Sequence, residues 1–99
     1  MDFNTRVLHE EQFHDPVTGS HVSPIYQTST YVLPNFKEAV RLNQDVNAGF
    51  SYTRFGSPTV AELERKIAGL EHAEAALATG SGLGAISIAT MSKLGAGSH

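Results

Sequence analysis

The sequence predicts an α/β fold in which only the start of a sheet is present. Three observations carry that prediction. Apolar residues recur at helical spacing from Thr59 to Gly69, a short apolar run covers Ala75 to Thr79, and the glycine-rich turn Gly80-Ser81-Gly82-Leu83-Gly84 opens a second apolar helix. Helix, strand, turn, helix holds a single strand, which cannot make a sheet, and one apolar strand needs both faces covered. The remaining strands are therefore expected in a continuation of the chain or in another chain.

Each element has a local reason. From Asp2 to Pro34 no period of 2 or 3.6 is sustained. Asp15-Pro16 and Thr18-Gly19-Ser20 mark turns, and Pro24 and Pro34 hold their predecessors extended. An irregular stretch this long is expected to act as an arm lying on another surface, where Val22, Ile25, Tyr26, Tyr31, Val32 and Leu33 find cover. Asn35 is placed to cap a short helix carrying Phe36, Ala39 and Val40 on one face. Phe50 to Pro58 is again irregular. Thr59 with Glu62 makes a capping box for the next helix, whose stripe is Val60, Leu63, Ile67 and Leu70, with Gly69 near its end. The last helix is expected to run to about Leu94, with Lys93 in its final turn and Gly95 as its stop.

Composition excludes several functions. The chain has 99 residues, 7 Lys+Arg, 10 Asp+Glu and a net charge of −3, so it offers no electrostatic footprint for nucleic acid or an anionic membrane. No apolar run is long enough to span a bilayer, and Met1 to His9 does not read as a secretory signal. With Cys 0, disulfides and thiolate zinc sites are excluded, which is consistent with, but does not by itself imply, the cytoplasmic location expected. Only 24 residues are Ile, Leu, Val or Phe, a thin supply of core for an independent domain.

Two places can carry chemistry. Glycines let a backbone approach an anion, and a helix start directs free N–H groups outward, so Gly80 to Gly84 can receive a phosphate, with the Ser81 hydroxyl as a further donor. It is neither a P-loop nor Gly-x-Gly-x-x-Gly, and a tight turn of small residues is the plain alternative. Tyr52 and Arg54, two residues apart in a loop or extended segment, are expected to point the same way and make a phosphate clamp of one phenol and one guanidinium. The alternative is a surface arginine beside a half-buried tyrosine. His9, His14 and His21 lie near Glu10, Glu11 and Asp15 at spacings that match no ligand pattern, so no metal site is expected. Lys37, Lys66 and Lys93 lack the apolar surroundings of a nucleophile.

Four motifs in order resemble the start of one enzyme family. They are Pro24-Ile25-Tyr26-Gln27-Thr28-Ser29-Thr30-Tyr31, then Tyr52-Thr53-Arg54 with Pro58-Thr59, then Leu63-Glu64 and Leu70-Glu71, then Ser81-Gly82-Leu83. Thr5-Arg6 with His9, and Thr18-Gly19, extend the likeness to essentially the whole chain. The family is the pyridoxal-phosphate (PLP) enzymes of cysteine and methionine metabolism, the transsulfuration enzymes. It includes cystathionine γ-synthase and γ-lyase, methionine γ-lyase and O-acetylhomoserine sulfhydrylase. Ser57 and Leu83 stand where the family usually has Asn and Met, and Ser98 where it usually has Asp.

The resemblance implies an aspartate-aminotransferase-like, fold type I subunit with its sheet incomplete here. Residues 1–50 would be an N-terminal arm packing on a neighbouring subunit, and 51–99 the beginning of the PLP-binding large domain. It implies homotetramers built from dimers, and small amino-acid substrates such as homoserine esters, cystathionine or methionine. Tyr52 and Arg54 would reach the phosphate of the neighbour's PLP, and the Gly82 and Leu83 N–H groups the phosphate of the subunit's own. The family's Schiff-base lysine, its ring-stacking aromatic, the Asp on the pyridine nitrogen and the Arg for the substrate carboxylate lie downstream of these motifs. The expected function is thus the N-terminal part of a γ-elimination or γ-replacement enzyme, inactive as these 99 residues alone. The alternative is a non-catalytic remnant that binds an intact homologue.

Overall fold

The structure is a computed structural model that describes residues 1–9 and 15–99. Four helices are present among them: α1 (Phe3–His9), α2 (Phe36–Gln44), α3 (Pro58–Leu70) and α4 (Gly82–Met91). The expected strand at Ala75 to Thr79 takes no regular secondary structure and has no β partner, so the sheet of the α/β reading is not formed among the described residues. The physical reason is that a strand is defined by its neighbour. Ala78 N–H donates at 2.7 Å to a Glu64 carboxylate oxygen on α3 instead. The only strand-like pairing there is an isolated antiparallel bridge between Thr30 and Tyr52.

Helix α1 corrects the reading of the arm as wholly irregular. Thr5 N–H donates to the Asp2 carboxylate at 2.8 Å and Arg6 N–H to the Asp2 carbonyl at 3.0 Å, an N-terminal cap on a helix too short to show a period. Helix α2 begins as read: Asn35 is extended and its side chain accepts from Glu38 N–H at 2.9 Å. Glu38 and Arg41 pair one turn apart along it.

The cap of α3 lies two residues before the expected one. Ser57 occupies the cap position with Pro58 at the first turn, and Ser57 makes no side-chain capping bond. Thr59 therefore caps nothing; its hydroxyl accepts from Tyr26 N–H at 3.0 Å and ties the arm to the helix start. At the other end, Ala73 N–H donates to Ala68 O at 2.9 Å and His72 N–H to Gly69 O at 3.2 Å. This is a Schellman closure, with His72 at φ +53 in the left-handed position that glycine normally takes. Arg6 of α1 reaches the same terminus, donating to Gly69 O at 2.5 Å and meeting His72 Nε2 at 2.9 Å. Helix α4 ends at Met91, earlier than expected, with Ser92 as its cap, so Lys93 lies just outside it.

Apolar stripes are present but uncovered. Among the described residues only Leu42 and Ala68 are buried hydrophobics. Val60, Leu63 and Ile67 of α3 are exposed, and so are Leu83, Ile86, Ile88 and Met91 of α4. The radius of gyration is 16.6 Å, against about 13 Å for a compact domain of this length. A helix apolar on all sides, as α4 is, belongs in an interior.

Asp15 organises the turn that follows it. Its carboxylate accepts from Val17 N–H and Thr18 N–H, both at 3.1 Å, and from the Thr18 hydroxyl. The Thr18 hydroxyl, then the Val17 N–H, hold this carboxyl below the usual carboxylate range. A lowered folded-state value means that the contribution is complete above the ordinary carboxylate value and lost as pH falls through the lowered one. Protection of the Val17 and Thr18 amides, measured against their intrinsic exchange rates at each pH, is expected to fall on acidification across that window, and this acid response should vanish in Asp15→Asn; an unchanged response would refute the assignment.

The left-handed His72 gives a second prediction. Glycine occupies that conformation without steric cost, so His72→Gly is expected to raise stability by about 1 kcal/mol, read as a higher Tm. A lower Tm would mean that the Arg6 contact outweighs the backbone strain.

Candidate functional site

The start of α4 presents unpaired backbone donors. Ser81 is extended, and its hydroxyl oxygen accepts from Gly84 N–H at 3.0 Å. The Ser81 carbonyl takes Ala85 N–H at 3.1 Å. These two bonds consume the third and fourth N–H groups of the helix and leave those of Gly82 and Leu83 directed out of its end. The Ser81 hydroxyl proton remains to donate. No atom lies within 4 Å of where a side chain would project from Gly80 or Gly82, so a bulky anion can approach the backbone there. Thr79 braces the turn by donating its hydroxyl to Ser81 O at 2.7 Å.

Tyr52 and Arg54 come together, but across a turn that starts at Tyr52 rather than along one side of an extended segment. The Arg54 guanidinium lies 5.1 Å from the Tyr52 ring centroid, and one of its nitrogens is 3.4 Å from the phenol oxygen. Tyr52 is half-buried and Arg54 exposed. Phe55 supports the Tyr52 ring edge-on, with centroids 6.1 Å apart and planes at 73°. Phe55 and Gly56 N–H both donate to Tyr52 O, at 3.0 and 3.3 Å, which closes the loop directly after the pair.

Sequence reasoning missed the strap behind this loop. Tyr31 N–H donates to Ser51 O at 3.1 Å and Thr53 N–H to Ser29 O at 3.0 Å, so Tyr52 is held between two backbone bonds to the arm. A single bridge has no periodicity to reveal it. Among the histidines considered as ligands, His9 and His21 form no metal-ligating cluster among the described residues, and His14, with Glu10 and Glu11, lies outside them. No helix of the described chain is long and apolar enough to cross a membrane.

A helix start with two outward N–H groups, a spare hydroxyl and a paired phenol and guanidinium define a class: a protein able to hold a phosphate. The comparisons make the class specific. The chain belongs to the family of Cys/Met metabolism PLP-dependent enzymes, whose sequence model matches residues 4–99. An L-methionine gamma-lyase of Fusobacterium nucleatum subsp. polymorphum is 48% identical over 81 residues, covering 82% of this chain and 20% of that protein. The O-acetyl-L-homoserine sulfhydrylase of Leptospira meyeri is 42% identical over 93 residues, 94% of this chain and 21% of that protein. The homocysteine synthase of Schizosaccharomyces pombe is 40% identical over 95 residues, 94% of this chain and 22% of that protein. The chain thus spans about a fifth of the length of these curated relatives.

The cofactor of the family is pyridoxal 5'-phosphate. The donor set fits its phosphate: every group named above donates, and the open face at Gly80 and Gly82 admits it.

The Ser81 cap can be tested directly. Ser81→Ala removes the acceptor for Gly84 N–H and is expected to cost about 1 kcal/mol, read as a lower Tm. Ser57→Ala is expected to cost only a few tenths, because Ser57 makes no capping bond. Equal losses at the two positions would show that the Ser81 bond does not hold the turn.

Proposed function

We propose that this chain supplies the cofactor-phosphate contacts of a PLP-dependent enzyme that eliminates or replaces the γ substituent of a sulfur amino acid or homoserine ester. The observation that carries the proposal is the start of α4, where capping by Ser81 leaves the Gly82 and Leu83 N–H groups free for an anion. Those two groups bind the phosphate of the subunit's own cofactor. Tyr52 and Arg54 extend from the arm-side loop to the phosphate of a neighbouring subunit's cofactor. The names of the relatives, a methionine γ-lyase, a homocysteine synthase and a sulfhydrylase, support the substrate class.

Residues 1–50 form the arm that packs on a neighbouring subunit, and 51–99 begin the large PLP-binding domain of a fold type I, aspartate-aminotransferase-like subunit. In that subunit Ala75 to Thr79 becomes a strand, and further strands and helices cover α4. The exposed apolar faces of α3, α4 and the arm support both statements. The assembly is a homotetramer of dimers, and the location is cytoplasmic.

Bound PLP supplies an electron sink for carbanion chemistry. This chain's residues anchor it at the phosphate. Arg54 neutralises phosphate charge and donates in a fork, Tyr52 adds one phenol donor and a face for the guanidinium, and the α4 N–H groups fix the phosphate position. None of these groups moves the substrate proton, so the 99 residues by themselves bind and orient but do not catalyse.

In the complete enzyme, Arg54→Ala is expected to weaken PLP binding roughly 10- to 150-fold, the loss of a charged hydrogen bond worth about 1.5–3 kcal/mol. Affinity for pyridoxal, which lacks the phosphate, should change little. Cofactor titration by absorbance reads both, and an unchanged PLP affinity would overturn the clamp assignment.

A further inference from the structure

We infer that Tyr31 is a positioning residue for the Tyr52–Arg54 phosphate clamp, coupling placement of the arm to cofactor-phosphate affinity. The inference rests on the phosphate reading proposed above and extends it to a residue outside the clamp.

Among the described residues the Arg54 guanidinium hydrogen-bonds only to Tyr52, so its location follows that of Tyr52. Tyr52 in turn is located by its backbone. Tyr31 N–H to Ser51 O and Thr53 N–H to Ser29 O bracket it on the arm side, and the turn into Phe55 and Gly56 closes it on the other. The arm segment that provides the bracket is itself held. Tyr26 N–H is bonded to Thr59 at the start of α3, and the Thr28 hydroxyl donates to Thr30 O at 2.8 Å.

Two exposed hydrogen bonds in a one-residue bridge compete poorly with water unless a side chain shields them. Tyr31 is placed to do so. Its ring lies 5.9 Å from that of Phe50, tilted by 40°, directly beside Ser51. Phe50 also underlies the far end of the loop: a side chain at Gly56 would meet its ring at 3.6 Å. The Tyr31–Phe50 pair thus sits beneath both ends of the clamp loop. The Tyr31 phenol oxygen is buried without a hydrogen-bond partner among the described residues, so the ring rather than the hydroxyl provides the support.

The test is a cofactor titration of the complete holoenzyme and its variants. Tyr31→Phe is expected to bind PLP as the parent does. Tyr31→Ala is expected to weaken PLP binding about tenfold, while pyridoxal affinity stays within about twofold. Adding Arg54→Ala to Tyr31→Ala should produce little further loss beyond Arg54→Ala alone, because both act through one clamp. If Tyr31→Ala does not fold, Tyr31→Leu, which keeps apolar volume but not the ring, is read in its place. Equal losses for PLP and pyridoxal would reduce Tyr31 to general stability and overturn the inference, as would additive losses with Arg54→Ala or an unchanged PLP affinity. If Arg54→Ala by itself leaves PLP affinity unchanged, the phosphate reading falls, which is a separate result from failure at Tyr31.

Discussion

The place of the Tyr52–Arg54 pair against the rest of the chain depends on the antiparallel bridge between Thr30 and Tyr52. It is one bridge, not a ladder, yet it joins residues 22 positions apart and brings the arm against the loop that carries Arg54. Loop closure over that distance costs entropy, and two backbone bonds do not offset it alone. The aromatic pair beneath the bridge and the Tyr26–Thr59 bond beside it supply the remainder. The arm is therefore part of the site's architecture within this chain, whatever it contacts beyond it.

The start of α4 depends on different physics. Its anion-binding capacity is local, arising from the four unpaired N–H groups that every helix start presents and from a serine that satisfies one of them. It needs no long-range contact to exist. It needs α4 to be held, and α4 is apolar on all sides with its large side chains exposed. Such a helix gains its stability from an interior that the described residues do not build, which agrees with a chain spanning about a fifth of its relatives.

Legibility in the sequence followed the range of the interaction. Asn35 could be read because a cap is decided within four residues, and the Gly80 to Gly84 turn because small residues announce a close backbone approach, but Ser81 was legible only as a hydroxyl donor and not as the cap it proves to be. Helix α3 was legible as a helix, but its start moved two residues because Pro58 suits the first turn and Thr59 had a better use as acceptor for Tyr26. Helix α1 escaped because seven residues hold barely two turns, although Asp2 was an available cap signal. The run Ala75 to Thr79 showed the opposite error. Apolar composition was read as a strand, and no partner is present among the described residues to make it one.

By itself the sequence determined the local chemistry. It specified the Asn35 cap of α2, a glycine-rich helix start at Gly80 to Gly84, the close spacing of Tyr52 and Arg54, and, through four ordered motifs, which family the chain belongs to. Only the tertiary structure decided that the arm straps the clamp loop, that Arg6 reaches the end of α3, and that Tyr31 and Phe50 meet beneath the site. Backbone groups of any residue type make the strap, and the contacts join positions far apart in the chain. Neither leaves a pattern in residue identity, so both become visible only when the chain is folded.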